Sequence, residues 1–127
     1  MMDHLGIGCA DMAAAGAFYD HVLATLGHSR RMDYGVAIGY GPEDGAPAFW
    51  ISQAVGDGPN RETHIAFAAP DAAHVRAFHA AATELGAESL HEPRIWPEYH
   101  DHYFGAFVRD PDGNNVEAVC HTASPDD

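Results

Sequence analysis

Apolar residues recur with two different periods along the first half of the chain, and these periods predict one helix among four strands. Alternation of apolar with small or polar residues over 4–9 indicates a half-buried strand. The i, i+3, i+4 spacing that follows Asp11 is typical of a helix with one buried face, and Gly27 is expected to end it. Further strands are expected over 29–32, 34–40 and 48–53.

The second half of the chain repeats this βαβββ order. It predicts a strand over 64–68, a helix between Asp71 and Gly86, and strands over 87–90, 103–109 and 115–120. Because His64 and Asp71 match His4 and Asp11 at the same offset, the chain contains two copies of one unit. We predict a single α+β domain over 1–127, with a first module at about 1–55 and a second at about 61–121.

Strand parity places both repeated histidines beside very small residues. In the first strand the large apolar residues face the helices, whereas His4 shares the opposite face with two glycines. In the second module His64 shares its face with two alanines. Glu117 points the same way, because Val116 and Ala118 are expected to face the core. A face of glycine and alanine leaves an open cavity beside the imidazoles.

Two imidazoles and one carboxylate on one surface form a donor set that suits a divalent first-row metal. We therefore expect His4, His64 and Glu117 to bind such an ion, with positions left for substrate or water. A glutamate that points into a cavity also needs a compensating charge. The alternative is a cup without metal, as in a protein that only binds a ligand.

Three segments of the sequence resemble the vicinal oxygen chelate superfamily, also called the glyoxalase/bleomycin resistance/dioxygenase family. They are Asp-His-Leu-Gly-Ile-Gly at 3–8 with Phe-Tyr at 18–19, His-Ile-Ala-Phe at 64–67, and Asp-Pro-Asp-Gly-Asn-Asn-Val-Glu at 110–117. The resemblance implies tandem βαβββ modules that form a cup-shaped half-open barrel around a metal. It places the family's metal ligands at His4, His64 and Glu117, and it implies a homodimer, with modules paired within or across chains.

The sequence departs from glyoxalase I-like members, which carry a fourth ligand on the last strand of the first module. The matching stretch at 48–52 is Ala-Phe-Trp-Ile-Ser, without an acid or a histidine. We therefore expect dioxygenase-like or lyase/isomerase-like chemistry on a small oxygen-rich substrate, with Fe, Mn, Zn or Ni as the metal. The alternative is a metal-free, bleomycin-resistance-like protein that sequesters a small ligand, for which a cation would suit the acidic chain.

The polar and aromatic segment at 97–103 is a second candidate for chemistry. Its expected place at the cavity mouth would let His100, His102 or Tyr103 act with Glu117 as an acid, a base or a hydrogen-bond donor. The alternative is a solvated loop. His121 has the parity of Glu117, but it lies about 13 Å further along an extended strand, which is too far for the same metal.

Composition narrows the expected partners to a small-molecule substrate and a second copy of the chain. A net charge of -13 repels phosphate backbones, which argues against nucleic acid. No apolar run approaches the roughly 20 residues that a membrane span needs. The two cysteines, Cys9 and Cys120, are too few for a disulfide framework and are expected to pack in the core, so the cytoplasm is the expected location.

Overall fold

The computed structural model describes residues 3–54, Gly56, Gly58 and 63–127. Both modules have the predicted βαβββ order, and the linker predicted at 55–60 lies mostly outside the described residues. The first module consists of β1 (Leu5–Cys9), α1 (Met12–Ala24), β2 (His28–Asp33), β3 (Ala37–Pro42) and β4 (Phe49–Gln53). The second consists of β5 (His64–Ala68), α2 (Ala72–Glu84), β6 (Ser89–Ile95), β7 (Phe104–Arg109) and β8 (Asn115–Cys120).

Each module builds one four-stranded sheet, with the strand order β1-β4-β3-β2 in the first and β5-β8-β7-β6 in the second. In each sheet the first and last strands of the module are parallel neighbours, and the other pairs are antiparallel. The described strands thus form two separate sheets and no closed barrel, in agreement with the predicted half-open arrangement. The parallel pairing also sets His64 at the start of β5 beside β8, the strand of Glu117.

The helices begin at the predicted residues. The carboxylates of Asp11 and Asp71 each accept a hydrogen bond from the backbone N–H three residues on, as N-caps do. Gly27 and Gly86 follow the helices with φ values of +83° and +82°, which glycine adopts at little cost. Each helix has 13 residues, and no helix in the described part of the chain is long and apolar enough to span a membrane.

Two strand predictions are wrong in their boundaries. Residues 34–36 form the turn between β2 and β3 instead of starting a strand, because Asp33 accepts the N–H of Gly35, which has a φ of +78°. In the second module β6 begins at Ser89 instead of residue 87 and continues through Pro93 to Ile95 instead of ending at residue 90. Proline is tolerated there because β6 is an edge strand whose pairing with β7 is irregular.

The predicted strand parity is confirmed on β1 and β5. Ile7 and Ile65 are buried against the helices, whereas the alternate glycines of β1 and alanines of β5 are exposed. The two helices pack on each other and each on its own sheet, so the inward faces of both modules join one hydrophobic core. Phe49 of β4 meets Phe67 of β5 edge to face at 5.0 Å and links the modules within that core.

A buried polar network joins α1 to the turn between β7 and β8. The hydroxyl of Tyr19 donates to Oδ2 of Asp110 at 2.7 Å. The same carboxylate accepts from the backbone N–H and the side-chain amide of Asn114, each at 2.8 Å. The amide oxygen of Asn114 in turn accepts from the N–H of Thr63 at 3.0 Å, just before β5. The Asp110 carboxylate, only 5% exposed, therefore connects the two modules. Through Asn114 it also holds the segment that leads into β5.

We expect Tyr19→Phe to lower the free energy of unfolding by about 1–3 kcal/mol, because it leaves a buried carboxylate short of one hydrogen bond. Urea denaturation followed by circular dichroism measures the loss. Tyr34→Phe is the matched control: Tyr34 is 67% exposed, and its hydroxyl contacts the Met32 sulfur at the surface. That control should stay within about 0.5 kcal/mol of the unmodified protein. Equal stability of the two variants would contradict the role given to Asp110.

Candidate functional site

Glu117 is a buried carboxylate in the middle of β8, and its relative exposure is 1%. Strand pairing places Ala66 of β5 on one side of it and Phe107 of β7 on the other. Its side chain therefore lies between a methyl group and an aromatic ring. Burial is the main cause that raises the pKa of Glu117 above its ordinary value, and the hydrogen bond from Tyr103 and the nearby His64 act in the opposite direction.

His64 and Glu117 meet across the β5–β8 pair, as the sequence predicts. Nε2 of His64 lies 3.3 Å from Oε1 of Glu117, and Nδ1 of His64 lies 3.2 Å from the carbonyl oxygen of Asn115. Since a carbonyl can only accept, Nδ1 carries a proton and Nε2 of the neutral ring presents a lone pair to the carboxylate. Two lone pairs at this distance repel each other unless a proton or a metal cation lies between them. A backbone carbonyl that fixes the outer nitrogen is also typical of metal-binding histidines.

Tyr103 provides the other contact of the Glu117 carboxylate. Its hydroxyl donates to Oε2, and burial together with this hydrogen bond raises the pKa of Tyr103. The tyrosine ring reaches the carboxylate across Gly105, where an added Cβ would lie 3.2 Å from both Oε2 of Glu117 and Cε1 of Tyr103. Gly105 thus provides the space for this hydrogen bond. This role of Gly105 was not predicted from the sequence, although a glycine inside a strand pattern signals a close approach.

The structure separates the three residues that were predicted to act beside Glu117. Only Tyr103, among the residues described at 97–103, bonds to that carboxylate. His100 instead bonds to His121, with Nε2 and Nδ1 2.8 Å apart. His102 directs its Nδ1 to the carbonyl of Ala123 at 2.9 Å and so holds the C-terminal tail.

His4 immediately precedes β1 of the first sheet and borders a cavity that β5 also lines, but it forms no three-ligand group with His64 and Glu117. Its Nδ1 is 2.6 Å from a carboxylate oxygen of Asp3, and it borders a shallow depression formed with Met32, Pro47 and Trp50. Among the described residues, no three His, Cys, Asp or Glu side chains are close enough together to hold a metal ion. A single chain therefore brings together two of the three predicted ligands.

Aromatic rings form the wall beside Glu117. Phe107 stacks with His64 at 6.0 Å and meets Trp96 nearly edge to face at 5.2 Å. The indole N–H of Trp96 donates to the carbonyl of Gly105 at 3.0 Å, and the guanidinium of Arg94 covers the indole at 3.4 Å. These contacts hold the aromatic side chains in place. The wall limits water around the carboxylate and strengthens its interaction with any cation.

Gly105→Ala should displace Tyr103 from Glu117, because the new methyl group would press on both side chains. We expect a loss of about 1–3 kcal/mol in the free energy of unfolding and a changed carboxyl ¹³C resonance of Glu117. Gly6→Ala is the matched control on an outward-facing strand position, since its Cβ would meet Trp50 at an ordinary 3.7 Å. If Gly105→Ala keeps the wild-type resonance and stability, Gly105 does not shape this site.

Glu117→Gln should change the pH dependence of stability in protein kept free of metal. The pKa of Glu117 is higher in the folded chain than its ordinary value of 4.5, so the folded state binds the proton more tightly. As pH rises from 4.5 through the folded pKa, the wild type should lose stability relative to Glu117→Gln. The change should not exceed about 1.4 kcal/mol per pH unit.

Urea denaturation at several pH values, in the presence of a chelator, measures this difference. Glu43→Gln is the control, because Glu43 is exposed in the turn after β3 and its variant should follow the wild type. A difference between Glu117→Gln and wild type that stays constant with pH would contradict the raised pKa.

Residues 4–119 match the model of the glyoxalase-like domain family. No curated protein matches the chain. A crystal structure of a glyoxalase/bleomycin resistance protein from Albidiferax ferrireducens is 29% identical, with a TM-score of 0.80 over 94% of this chain and 98% of that one.

Two further solved structures share the fold alone. A lactoylglutathione lyase from Agrobacterium tumefaciens is 23% identical, with a TM-score of 0.64 over 94% of this chain and 91% of that one. A glyoxalase/bleomycin resistance protein/dioxygenase family enzyme from Burkholderia phytofirmans is 17% identical, with a TM-score of 0.67 over 92% and 95%. Since the family model covers nearly all of both modules, the chain belongs to the glyoxalase-like domain family, in agreement with its resemblance to the vicinal oxygen chelate superfamily.

Proposed function

We propose that the protein is a metal-dependent enzyme that acts on a small oxygen-rich substrate, with dioxygenase-like or lyase/isomerase-like chemistry. The observation that carries this proposal is the contact between Nε2 of His64 and Oε1 of Glu117 at 3.3 Å. A divalent cation bound by both atoms would replace the repulsion of two lone pairs with two metal–ligand bonds. Imidazole with carboxylate suits Fe, Mn, Zn or Ni.

The residues around the contact would hold the ligands in place. Glu117 would bind a metal through Oε1, because Tyr103 occupies Oε2, and the carbonyl of Asn115 would orient His64. When bound, a divalent ion supplies Lewis-acid chemistry, and a redox-active one also allows reaction with O₂. The Tyr103 hydroxyl lies next to the ligand carboxylate, and we propose that on substrate binding it moves its single hydrogen bond from Oε2 to the substrate, as a donor or acid.

We propose that His4 of a second copy completes the three-ligand site in a homodimer. Within one chain His4 is exposed at the start of the first sheet and does not complete a three-ligand group with His64 and Glu117 among the described residues. The surface around it is apolar: it includes Met32, 44% exposed, and the stacked pair of Tyr34 and Trp50. An apolar face of this kind, with a potential ligand at its edge, suits contact between copies of a chain that otherwise carries a net charge of -13.

The alternative function is metal-free binding of a small ligand. The hydrogen bond from Tyr103 to Glu117 favours it, because this bond and a protonated His64 satisfy the carboxylate without a metal. A cation would suit the acidic chain. For either function we propose the cytoplasm as the location, since Cys9 and Cys120 are buried free thiols.

Metal content distinguishes the metal-dependent enzyme from the metal-free binding protein. Protein purified without chelators and offered Fe(II), Mn(II), Zn(II) or Ni(II) should retain one of these ions at about one per chain. His4→Ala, His64→Ala and Glu117→Ala should each lose it, whereas His74→Ala should not, because His74 pairs with Asp71 at the start of α2. Elemental analysis measures the metal content. Oxygen uptake with catechols then tests for dioxygenase-like activity.

A mixing experiment tests the shared site. The His4→Ala and His64→Ala proteins should each bind no metal alone, but heterodimers made from them contain one intact site and one doubly altered site. After subunit exchange at equal amounts, metal should return to about a quarter of the sites. Absence of stoichiometric metal in the wild type would overturn the enzyme proposal. If the wild type binds metal but the mixture does not recover it, the third ligand is His4 of the same chain or another residue.

A further inference from the structure

His100 and His121 form a linear hydrogen bond between two imidazole rings. Their nitrogens are 2.8 Å apart, and the ring centres are 5.1 Å apart with planes inclined by 24°. The centre separation is close to the N···N distance plus the centre-to-nitrogen distances of both rings, so the bond lies along the line of centres. The two lone-pair directions therefore point at each other and do not converge on a point beside them. This geometry suits a shared proton and does not suit chelation of a metal by the pair.

A backbone contact fixes which nitrogen carries the proton. The N–H of His102 donates to Nδ1 of His100 at 3.1 Å, so Nδ1 of His100 is an acceptor. Neutral His100 therefore carries its proton on Nε2 and donates it to Nδ1 of His121. Neutral His121, whose Nδ1 accepts, must then carry its own proton on Nε2. Within the described residues that N–H has no hydrogen-bond partner.

His121 lies at the edge of the candidate site. It follows β8 directly and has the same parity as Glu117, and the β7–β8 register that pairs Phe104 with Cys120 brings Tyr103 opposite it. The ring of His121 meets the ring of Tyr103 edge to face at 5.2 Å. Its charge, when present, acts on the Glu117 carboxyl. Since His121 lies about 13 Å along the strand from Glu117, too far for the same metal, a role toward the far end of a bound substrate is open to it.

We propose that His121 donates a hydrogen bond from Nε2 to an oxygen of the bound substrate, with His100 as the positioning residue that holds it in the donor tautomer. The inference rests on the proposed function and extends it. A substrate bound at His64 and Glu117 would extend past Tyr103 toward His121, so it should carry a second polar oxygen several atoms from the first. A phenolate or carboxylate oxygen would gain most from this donor.

Binding of 4-nitrocatechol to the Zn(II)-loaded protein tests the proposal, because its nitro oxygens lie across the ring from its catechol oxygens and its absorption reports their ionisation. His121→Phe should weaken binding about 10- to 100-fold, because the nitro oxygens that would accept its hydrogen bond share the negative charge of the ionised catechol. His121→Gln, which keeps an N–H donor, should recover part of that loss. His74→Gln, at the start of α2, is the control and should bind as the wild type does.

The positioning role of His100 has a separate readout. In ¹⁵N NMR spectra of the wild type, His121 should show the single tautomer with the proton on Nε2. His100→Phe should give a mixture of tautomers and weaken binding by a smaller factor than His121→Phe. Normal circular dichroism spectra exclude misfolding, and the His100 variant tests the proposal even if His121→Phe does not fold.

The outcomes separate this inference from the proposed function. Failure of the wild type to retain any of Fe(II), Mn(II), Zn(II) and Ni(II) would overturn both. Equal affinity and equal absorption spectra for wild type, His121→Phe and His100→Phe would overturn the inference alone. A wild-type His121 with its proton on Nδ1 would also overturn it, because Nε2 would then be an acceptor.

Discussion

The buried carboxylate of Asp110 is the constraint on which the arrangement of the second module depends. A carboxylate that is 5% exposed must have its oxygens satisfied, and here the partners come from different parts of the fold: Tyr19 of the first module and Asn114 of the second. Any shift of one module against the other would break a bond to this group. Hydrogen bonding as well as apolar contact therefore determines the relative position of the two βαβββ units.

The same network determines how His64 meets Glu117. Asn114 receives the N–H of Thr63, and this bond fixes the start of β5 against the start of β8. From that point the parallel register places Ala66 opposite Glu117. The carbonyl of Asn115 then orients the His64 ring. A geometry that could bind a metal is thus built on backbone register, and Gly105 and Tyr103 complete it from β7.

The sequence predicted what depends on periodicity and could not predict what depends on contacts between distant segments. Alternation along β5 and β8 correctly placed His64 and Glu117 on one face, and Asp11 and Asp71 correctly began the helices. Parity within a strand says nothing of how two sheets are arranged in space, so it could not show whether His4 joins His64 and Glu117 within a single chain. The bond of His100 to His121 joins a loop to the end of β8, and neither segment carries a periodic signal for it.

The two modules use the same frame for different purposes. Gly6 pairs with Trp50 in the first sheet as Ala66 pairs with Glu117 in the second, so Trp50 occupies the position of the carboxylate. The indole lies against Gly39, where a Cβ would come within 2.8 Å of its ring. A second buried carboxylate at this position would need its own compensating cation, and the chain already carries a net charge of -13. An aromatic residue there requires no counter-charge. The duplicated fold therefore provides one face for charge and one for apolar contact, and a site with a single acid follows from that division.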